Sequence, residues 1–276
     1  MNRDSVDLGH PTLSCTFLPL LGKLGNPWVL SRARPDAQTP PMAMPNIPWL
    51  TRTEQATMER LLLTTLLLPL LAVDSATSNL EGQSLLFPWE SATDYVLLTP
   101  QQQKPLHNFT LCMKAFSDLT RGYSLLSYAT RSHSNALLLH VNRPGEFSLS
   151  IGDSEIVFRT PQSWQGPSHV CVSWESATGI ATLWMNGWIL GRKGVNKGYV
   201  LEGEASIILG QDQDSFGGGF EAKQSLVGEV WDVRLWDRVM NITDVLFTHE
   251  NSNLLDWHSL TFRSFGDVVI KPKLWL

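Results

Sequence analysis

The ten residues ATLWMNGWIL, at positions 181–190, decide the fold class. Two runs of strand-favouring residues flank the pair Asn186-Gly187. An Asn-Gly pair between such runs is the strongest short-range signal for a β-hairpin. The stretch therefore predicts two antiparallel strands joined by a tight turn.

From about Thr77 onward, the chain repeats this pattern of short apolar runs separated by turn residues. The stretch FSLSI (147–151) alternates strictly, and VCVSW (170–174) alternates between strand formers and smaller residues. Residues 207–209 and 230–236 read as further strands. Helical periodicity is scarce, so the pattern favours an all-β protein.

One short helix is predicted over residues 242–249, where Asn241 or Thr243 could cap and Asp244 lies in the first turn. Many strands and one short helix in about 200 residues predict a single antiparallel β-sandwich of jelly-roll type.

The composition supplies enough apolar material for a folded core. The chain has 276 residues, 43% of them hydrophobic, and a formal net charge of -5. This apolar fraction can build a core for one large domain or two small ones. The chain carries no cluster of Lys and Arg of the kind that phosphate backbones need, so it shows no nucleic-acid signature.

The chain begins with two segments that we separate from the folded domain. Residues 1–57 hold eight of the sixteen prolines, and we expect them to be disordered. Residues 58–76 have the layout of a secretory signal peptide, with an apolar run from Leu61 to Val73. We expect Met58 to be the working start; a signal anchor behind a cytoplasmic tail is the alternative. The folded domain is then 77–276.

Secretion changes how the cysteines are interpreted. If Cys15 leaves with the extension, Cys112 and Cys171 remain in an oxidising compartment and form one disulfide, worth about 4 kcal/mol by chain entropy. A zinc site that includes His169 is the weaker interpretation, because zinc needs further ligands. The triplets that begin at Asn108 and Asn241 are N-glycosylation acceptors.

An acidic loop lies between the predicted strands at 207–209 and 230–236. It places Asp212, Asp214 and Glu221 within ten residues, among several glutamines. Carboxylates this close repel one another unless a cation lies between them or water surrounds them. The spacing does not fit an EF-hand. The residues alone leave two alternatives open, a metal site and a solvated acidic hairpin.

Several segments, in order, resemble the short pentraxins. The stretch HVCVSWES (169–176) matches the signature of that family, and LSYAT (126–130), SIILGQ (206–211), DSFGG (214–218) and QSLVGE (224–229) match further family segments. The resemblance extends from about Leu80 to the end of the chain. It implies a secreted pattern-recognition lectin of innate immunity that forms a homopentamer and binds two calcium ions per protomer. The implied ligands are phosphocholine, phosphoethanolamine or acidic sugars, and complement and Fc receptors are implied partners.

The resemblance also implies a ligand set for calcium. Asn135, Asp212, the backbone carbonyl of Gln213 and Asp214 would bind the first ion. Asp212 and Asp214 would bridge to a second ion completed by Glu221 and Gln224. Calcium prefers such a mixture of carboxylate, amide and carbonyl oxygens.

Two positions depart from the family pattern. Ser134 stands where the family usually has Asp, and Asp212 stands where it usually has Glu. Fewer charged ligands and a shorter reach predict weaker calcium binding than in typical relatives.

The residues implied for ligand binding also differ. His140, Ser150 and Glu155 occupy the positions of a Phe that packs on choline, a Thr that lines a cavity and a Glu that faces the ammonium. Glu155 keeps the negative charge. His140 loses apolar surface and could become cationic near pH 6, or it is an ordinary exposed strand residue. We expect a reduced preference for choline.

Other classes of function remain to be weighed. No catalytic residues are predicted, because the paired carboxylates of glycosidases and the usual hydrolase motifs are not present in the sequence. A calcium-independent adhesion or scaffold module on the same fold, with a decayed metal site, is the alternative function.

Overall fold

The computed structural model describes residues 77–160, 166–241, 243–244 and 251–275. The expectations for residues 1–76 therefore lie outside the described residues. Most of the predicted helix at 242–249 does too, although the two described residues, Thr243 and Asp244, are helical. Within the described ranges, no helix has the length and apolar character needed to span a membrane.

Fifteen strands build the described chain. In chain order they are β1 (Thr77–Ser78), β2 (Gln83–Phe87), β3 (Tyr95–Thr99), β4 (Asn108–Phe116), β5 (Tyr123–Ala129), β6 (Leu137–Arg143), β7 (Glu146–Ile151), β8 (Ser154–Arg159), β9 (Ser168–Glu175), β10 (Ile180–Met185), β11 (Trp188–Gly194), β12 (Ser206–Leu209), β13 (Gly228–Trp236), β14 (Leu260–Phe265) and β15 (Val269–Pro272). Two short 3-10 turns, Ala222–Gln224 and Trp257–Ser259, complete the described elements.

The strands form two sheets whose pairings are all antiparallel. One sheet has eight strands in the order β1-β14-β3-β12-β5-β6-β7-β8, and the other has seven in the order β11-β10-β9-β4-β13-β2-β15. Buried apolar residues from both sheets form one large core cluster. This architecture confirms the predicted all-β sandwich.

The hairpin at 181–190 forms as predicted. Asn186 and Gly187 have φ of 52° and 82°, as a two-residue hairpin turn requires, and they join β10 to β11. β10 also pairs with β9, so the hairpin forms one edge of the seven-stranded sheet.

The candidate site lies on the face of the eight-stranded sheet that points away from the core, which we call the outer face. Leu137, Leu139 and Val141 of β6 join the core, and alternation turns Leu138 and His140 to the outer face. Ser150 of β7 and Glu155 of β8 pair in register with Leu138 across neighbouring strands, so they share its outer face.

Candidate functional site

The acidic loop, residues 211–225, is anchored on the outer face by Gln213. The Gln213 side chain is fully buried, and its Nε2 donates to the carbonyl oxygen of Ser127 at 3.1 Å and to that of Ser206 at 3.0 Å. Its Oε1 accepts a hydrogen bond from the backbone N–H of Gly217 at 2.9 Å. The amide is therefore used for structure, which leaves the backbone carbonyl as the group that this residue can offer to a cation.

A tight turn gives the middle of the loop its shape. Ser215 and Gly218 exchange backbone hydrogen bonds of 3.2 and 3.0 Å. Gly219 then passes close to Asp214: a Cβ on Gly219 would lie 2.8 Å from the Asp214 Cβ, and its φ is +78°. Only glycine fits there without strain, so Gly219 lets the chain turn back beside an exposed Asp214.

Asn135 lies in the loop between β5 and β6. Its backbone N–H donates to Asp153 Oδ1 at 3.0 Å, and the Asp153 N–H donates to the Asn135 carbonyl oxygen at 3.1 Å. Asp153 lies in the turn between β7 and β8 with a φ of 61°. These reciprocal bonds fix the backbone of Asn135 while its side-chain oxygen stays free.

Three buried oxygens test whether this site suits a cation. Asn135 Oδ1, Asp212 Oδ1 and Gln224 Oε1 are all buried, and none takes part in a hydrogen bond within the described chain. Buried acceptors without partners are uncommon and costly. All three belong to the ligand set predicted from the sequence, and oxygen is the ligand atom that calcium prefers. The residues present therefore fit a calcium ion.

The electrostatics of Asp212 agree with this fit. Its carboxyl is largely buried, and burial raises its pKa to about 6, helped by the negative charges of Asp214 and Glu221 and opposed by a backbone hydrogen bond from Gln213. A divalent cation beside these groups would offset both the burial and the repulsion.

Glu221 and Gln224 bracket a short 3-10 turn. Glu221 precedes the turn Ala222–Gln224 and is exposed, and its side chain makes no capping hydrogen bond. The three acidic side chains of the loop do not converge by themselves. Among the described residues, the one set of three His, Cys, Asp or Glu ligand atoms within 4.8 Å of one another is Cys112, His169 and Cys171. Amide and carbonyl oxygens are thus essential to the predicted calcium ligand set.

The residues predicted to bind the organic ligand share the outer face with the acidic loop. Ser127, Leu138, Ser150 and Glu155 lie side by side on β5 to β8. That row spans three interstrand spacings, roughly 14 Å. Gln213 contacts one end of the row, and Glu155 is exposed at the other end. The structure therefore places Ser150, which is buried, and the exposed Glu155 in one row with the serine that Gln213 contacts.

His140 occupies the next outward position on β6 and is half-buried. Its Nδ1 lies 3.0 Å from Ser124 Oγ. Burial lowers the pKa of His140 below its ordinary value, and Glu155 opposes that shift only in part. The His140 ring should therefore become cationic at a more acidic pH than the value near 6 expected from the sequence. Ser124 and His140 are register partners on adjacent strands, so the contact also suits an ordinary strand residue, and the role of His140 stays a prediction.

The disulfide forms as predicted. Cys112 of β4 and Cys171 of β9 are register partners and are bonded, with a sequence separation of 59. They pack with Trp184, Trp236 and Met240 in a second, smaller apolar cluster. His169 Nε2 lies 3.4 Å from Cys171 Sγ. The cluster of Cys112, His169 and Cys171 is therefore explained by the disulfide and a neighbouring histidine, without a zinc ion.

The two glycosylation acceptors differ in their surroundings. Asn108 is the first residue of β4 and is half-buried, whereas Asn241 is exposed. Thr110, which completes the first triplet, is fully buried: its Oγ1 donates to the Arg238 carbonyl oxygen at 2.7 Å and accepts from the Met240 N–H at 2.9 Å. Both acceptors remain predictions.

Sequence reasoning missed the residues that support the loop from a distance. Ser127 and Ser206 bind Gln213, and Asp153 binds Asn135. Ser127 and Gln213 are 86 positions apart in sequence, and no local pattern signals their contact. Such pairs are visible only in the folded chain.

A model of the Pentaxin family matches residues 83–272. The chain is 54% identical to mucosal pentraxin of Bos taurus over 217 residues, which are 79% of this chain and 100% of the relative. It is 44% identical to serum amyloid P-component of Homo sapiens over 205 residues, 73% of this chain and 92% of the relative.

A solved structure supports the fold independently. A native heptameric SAP-like pentraxin from Limulus polyphemus superimposes with a TM-score of 0.65 at 21% identity, covering 74% of this chain and 98% of that one. The family match over residues 83–272 and the identity to the two pentraxin relatives establish that the chain belongs to the pentaxin family, whose name is also written pentraxin.

Proposed function

We propose that this protein is a secreted, calcium-dependent pattern-recognition lectin of innate immunity. The observation that carries the proposal is the set of buried oxygens without hydrogen-bond partners on Asn135, Asp212 and Gln224. All three lie at positions that a pentraxin would use for calcium. Asp214, Glu221 and the Gln213 backbone carbonyl complete the ligand set for two ions per protomer.

The bound calcium would supply positive charge for a phosphate or carboxylate group of the ligand. The chain's own residues position that charge. Gln213 fixes the acidic loop over Ser127 through its buried amide, and Asp153 holds the backbone of Asn135. Both anchors join the predicted ligand segments to strand or turn positions of the outer face, so the backbone at Gln213 and Asn135 is held in place.

The remaining ligand contacts come from the outer face. Glu155 offers a negative charge to the ammonium of phosphoethanolamine or phosphocholine, and Ser150 lies next to it in the same row. His140 offers a polar ring bound to Ser124 where a phenyl would favour choline methyl groups. We infer that phosphoethanolamine or an acidic sugar is preferred over phosphocholine.

The proposal includes the organisation of the mature protein. Residues 58–76 act as a signal peptide behind an extension at 1–57, and 77–276 form the pentraxin domain. Membership in the family supports a homopentameric ring, with complement and Fc receptors as partners. We also assign N-linked glycans to Asn108 and Asn241.

Calcium titration calorimetry tests the proposal directly. The protein is collected from eukaryotic cells that express the full chain, and calcium is titrated with and without phosphoethanolamine. We expect two sites per protomer whose affinity rises when phosphoethanolamine is present. The variant Asp214→Asn should bind calcium more weakly. No heat of binding at millimolar calcium would contradict the proposal.

A calcium-independent adhesion or scaffold module is the second candidate. It is favoured by Ser134, which supplies no carboxylate beside Asn135. Retention on a phosphoethanolamine matrix separates the candidates, because a lectin elutes with a chelator and a calcium-independent module does not respond to one. Turnover of glycans on the same matrix would instead indicate an enzyme.

A further inference from the structure

Arg121 connects the acidic loop to two other parts of the chain. It lies just before β5 with its side chain mostly buried, and its Nη1 donates to the carbonyl oxygens of Lys223 at 3.1 Å and Ser225 at 2.7 Å. These two carbonyls flank Gln224, more than a hundred residues away. The same nitrogen also donates to the carbonyl oxygen of Gly122 at 2.8 Å.

Glu90 joins this network from the loop between β2 and β3. Its Oε2 accepts from Arg121 Nε at 3.0 Å, and its Oε1 lies 2.7 Å from Lys223 Nζ. The bonds from Lys223 and Arg121 hold the pKa of Glu90 below its ordinary value, so it stays ionised. The next residue, Ser91, donates its N–H to Ser225 Oγ at 3.2 Å. We call Arg121 and Glu90 the clamp.

The 3-10 turn Ala222–Gln224 has few hydrogen bonds of its own, two from the backbone and one from Ser225 Oγ to the Ala222 carbonyl oxygen at 2.7 Å. It has three residues, buries none of them and has no side-chain cap at Glu221. So short a 3-10 segment makes few hydrogen bonds of its own, and those have poor geometry. Arg121 supplies charged hydrogen bonds to the carbonyl of Lys223 within the turn and to that of Ser225 directly after it, and such bonds are about twice as strong as neutral ones.

We propose that Arg121, together with Glu90, is a positioning residue for the second calcium ion. The clamp orients the 3-10 turn that directly follows Glu221 and ends at Gln224. The buried Oε1 of Gln224 has no hydrogen-bond partner. This inference rests on the proposed function, because it assigns the clamp to the half of the site that Glu221 and Gln224 complete. Neither clamp residue contacts calcium in this assignment.

The first test measures the order of the turn without calcium, so its result does not depend on metal binding. Hydrogen exchange is measured in chelator on the backbone amides of Gln224 and Ser225, which bond to the carbonyls of Glu221 at 2.9 Å and Ala222 at 3.2 Å. Arg121→Gln should raise their exchange rates severalfold. The control Arg159→Gln removes another arginine–glutamate pair, with Glu146, in the same sheet, and should leave both rates unchanged. Unchanged rates in Arg121→Gln would overturn the inference.

The second test resolves the two ions by calorimetry. Loss of a residue that orients metal ligands typically weakens binding about tenfold or more. We expect that loss for the second ion in Arg121→Gln and at most about a twofold loss for the first. Arg121→Lys should recover only part of it, since Lys cannot present the same fork of donors. Equal weakening of both ions would indicate a general structural role and contradict the inference.

A milder variant covers the case in which Arg121→Gln does not fold. Glu90→Gln removes a partly exposed charge and keeps Arg121 in place, so the fold should persist. It should accelerate exchange at Gln224 and weaken the second ion by a smaller factor. If the wild type binds no calcium, the proposed function fails, whereas the exchange experiment still decides whether the clamp orders the turn.

Discussion

Gln213 and Ser127 lie 86 residues apart in sequence, yet the Gln213 amide donates to both the carbonyl oxygen and the hydroxyl of Ser127 at 3.1 Å. Ser127 sits on the outer face in the row that ends at Glu155. This one contact therefore places the acidic loop and the predicted ligand-binding surface on the same side of the sandwich.

The substitution Ser134→Asp should strengthen calcium binding. Ser134 directly precedes Asn135, and a carboxylate there adds a charged ligand, which we expect to raise affinity about tenfold. Calorimetry measures the change. Gln103→Asp adds the same charge at an exposed position in the loop before β4 and should have little effect. If both variants behave alike, Ser134 is not the cause of weak binding.

His140→Phe should shift ligand preference toward phosphocholine. The phenyl ring needs no hydrogen-bond partner such as Ser124 and offers apolar and π surface to the choline methyls, a gain of about 1 kcal/mol or fivefold. The measurement is the ratio of phosphocholine to phosphoethanolamine affinity at fixed calcium. His107→Phe, at an exposed histidine before β4, serves as the control. An unchanged ratio would place His140 outside the ligand pocket.

The protein should lose stability in mild acid through His169. Burial and then the charge of Lys114 lower the pKa of His169 to about 4, with Asp232 opposing. In the unfolded chain the pKa is about 6.5, so between these values the unfolded state binds more protons. Stability should therefore fall as the pH drops from about 6.5 to about 4, by about 2–3 kcal/mol.

Urea unfolding across that pH range checks the contribution of His169. The variant His169→Gln should remove this part of the pH dependence, and His107→Gln should retain it. Identical slopes in the wild type and His169→Gln would show that other groups govern acid unfolding.

Thr110→Ala and Asn108→Gln both delete the first glycosylation acceptor, but they should differ in the free energy of unfolding that is lost. Thr110→Ala leaves the Met240 N–H and the Arg238 carbonyl without the hydroxyl that binds both, and we expect a loss of about 1–3 kcal/mol. Asn108→Gln removes the same acceptor without that loss. Mass spectrometry reports the glycan and thermal unfolding reports the cost. Thr243→Ala, at an exposed threonine of the second acceptor, should cost little, and equal melting temperatures for all three variants would contradict this account.

The strands that sequence analysis identified share a local signal. FSLSI and ATLWM alternate or are rich in strand formers, and both lie within strands with bounds close to those predicted, β7 and β10. By contrast, β14 and β15 expose many of their residues, and the sequence analysis did not single them out. Their place is set by pairing with β3 and β2, far earlier in the chain.

The sequence by itself determined the hairpin at Asn186-Gly187 and the oxygen-rich chemistry of the acidic loop, because both depend on neighbouring residues. Only the tertiary structure decided that Asn135, Asp212 and Gln224 bury oxygens without hydrogen-bond partners. It also brought Arg121 to the carbonyls beside Gln224. The physical reason is that burial and long-range hydrogen bonds arise when distant strands pack together, and no stretch of sequence contains both partners.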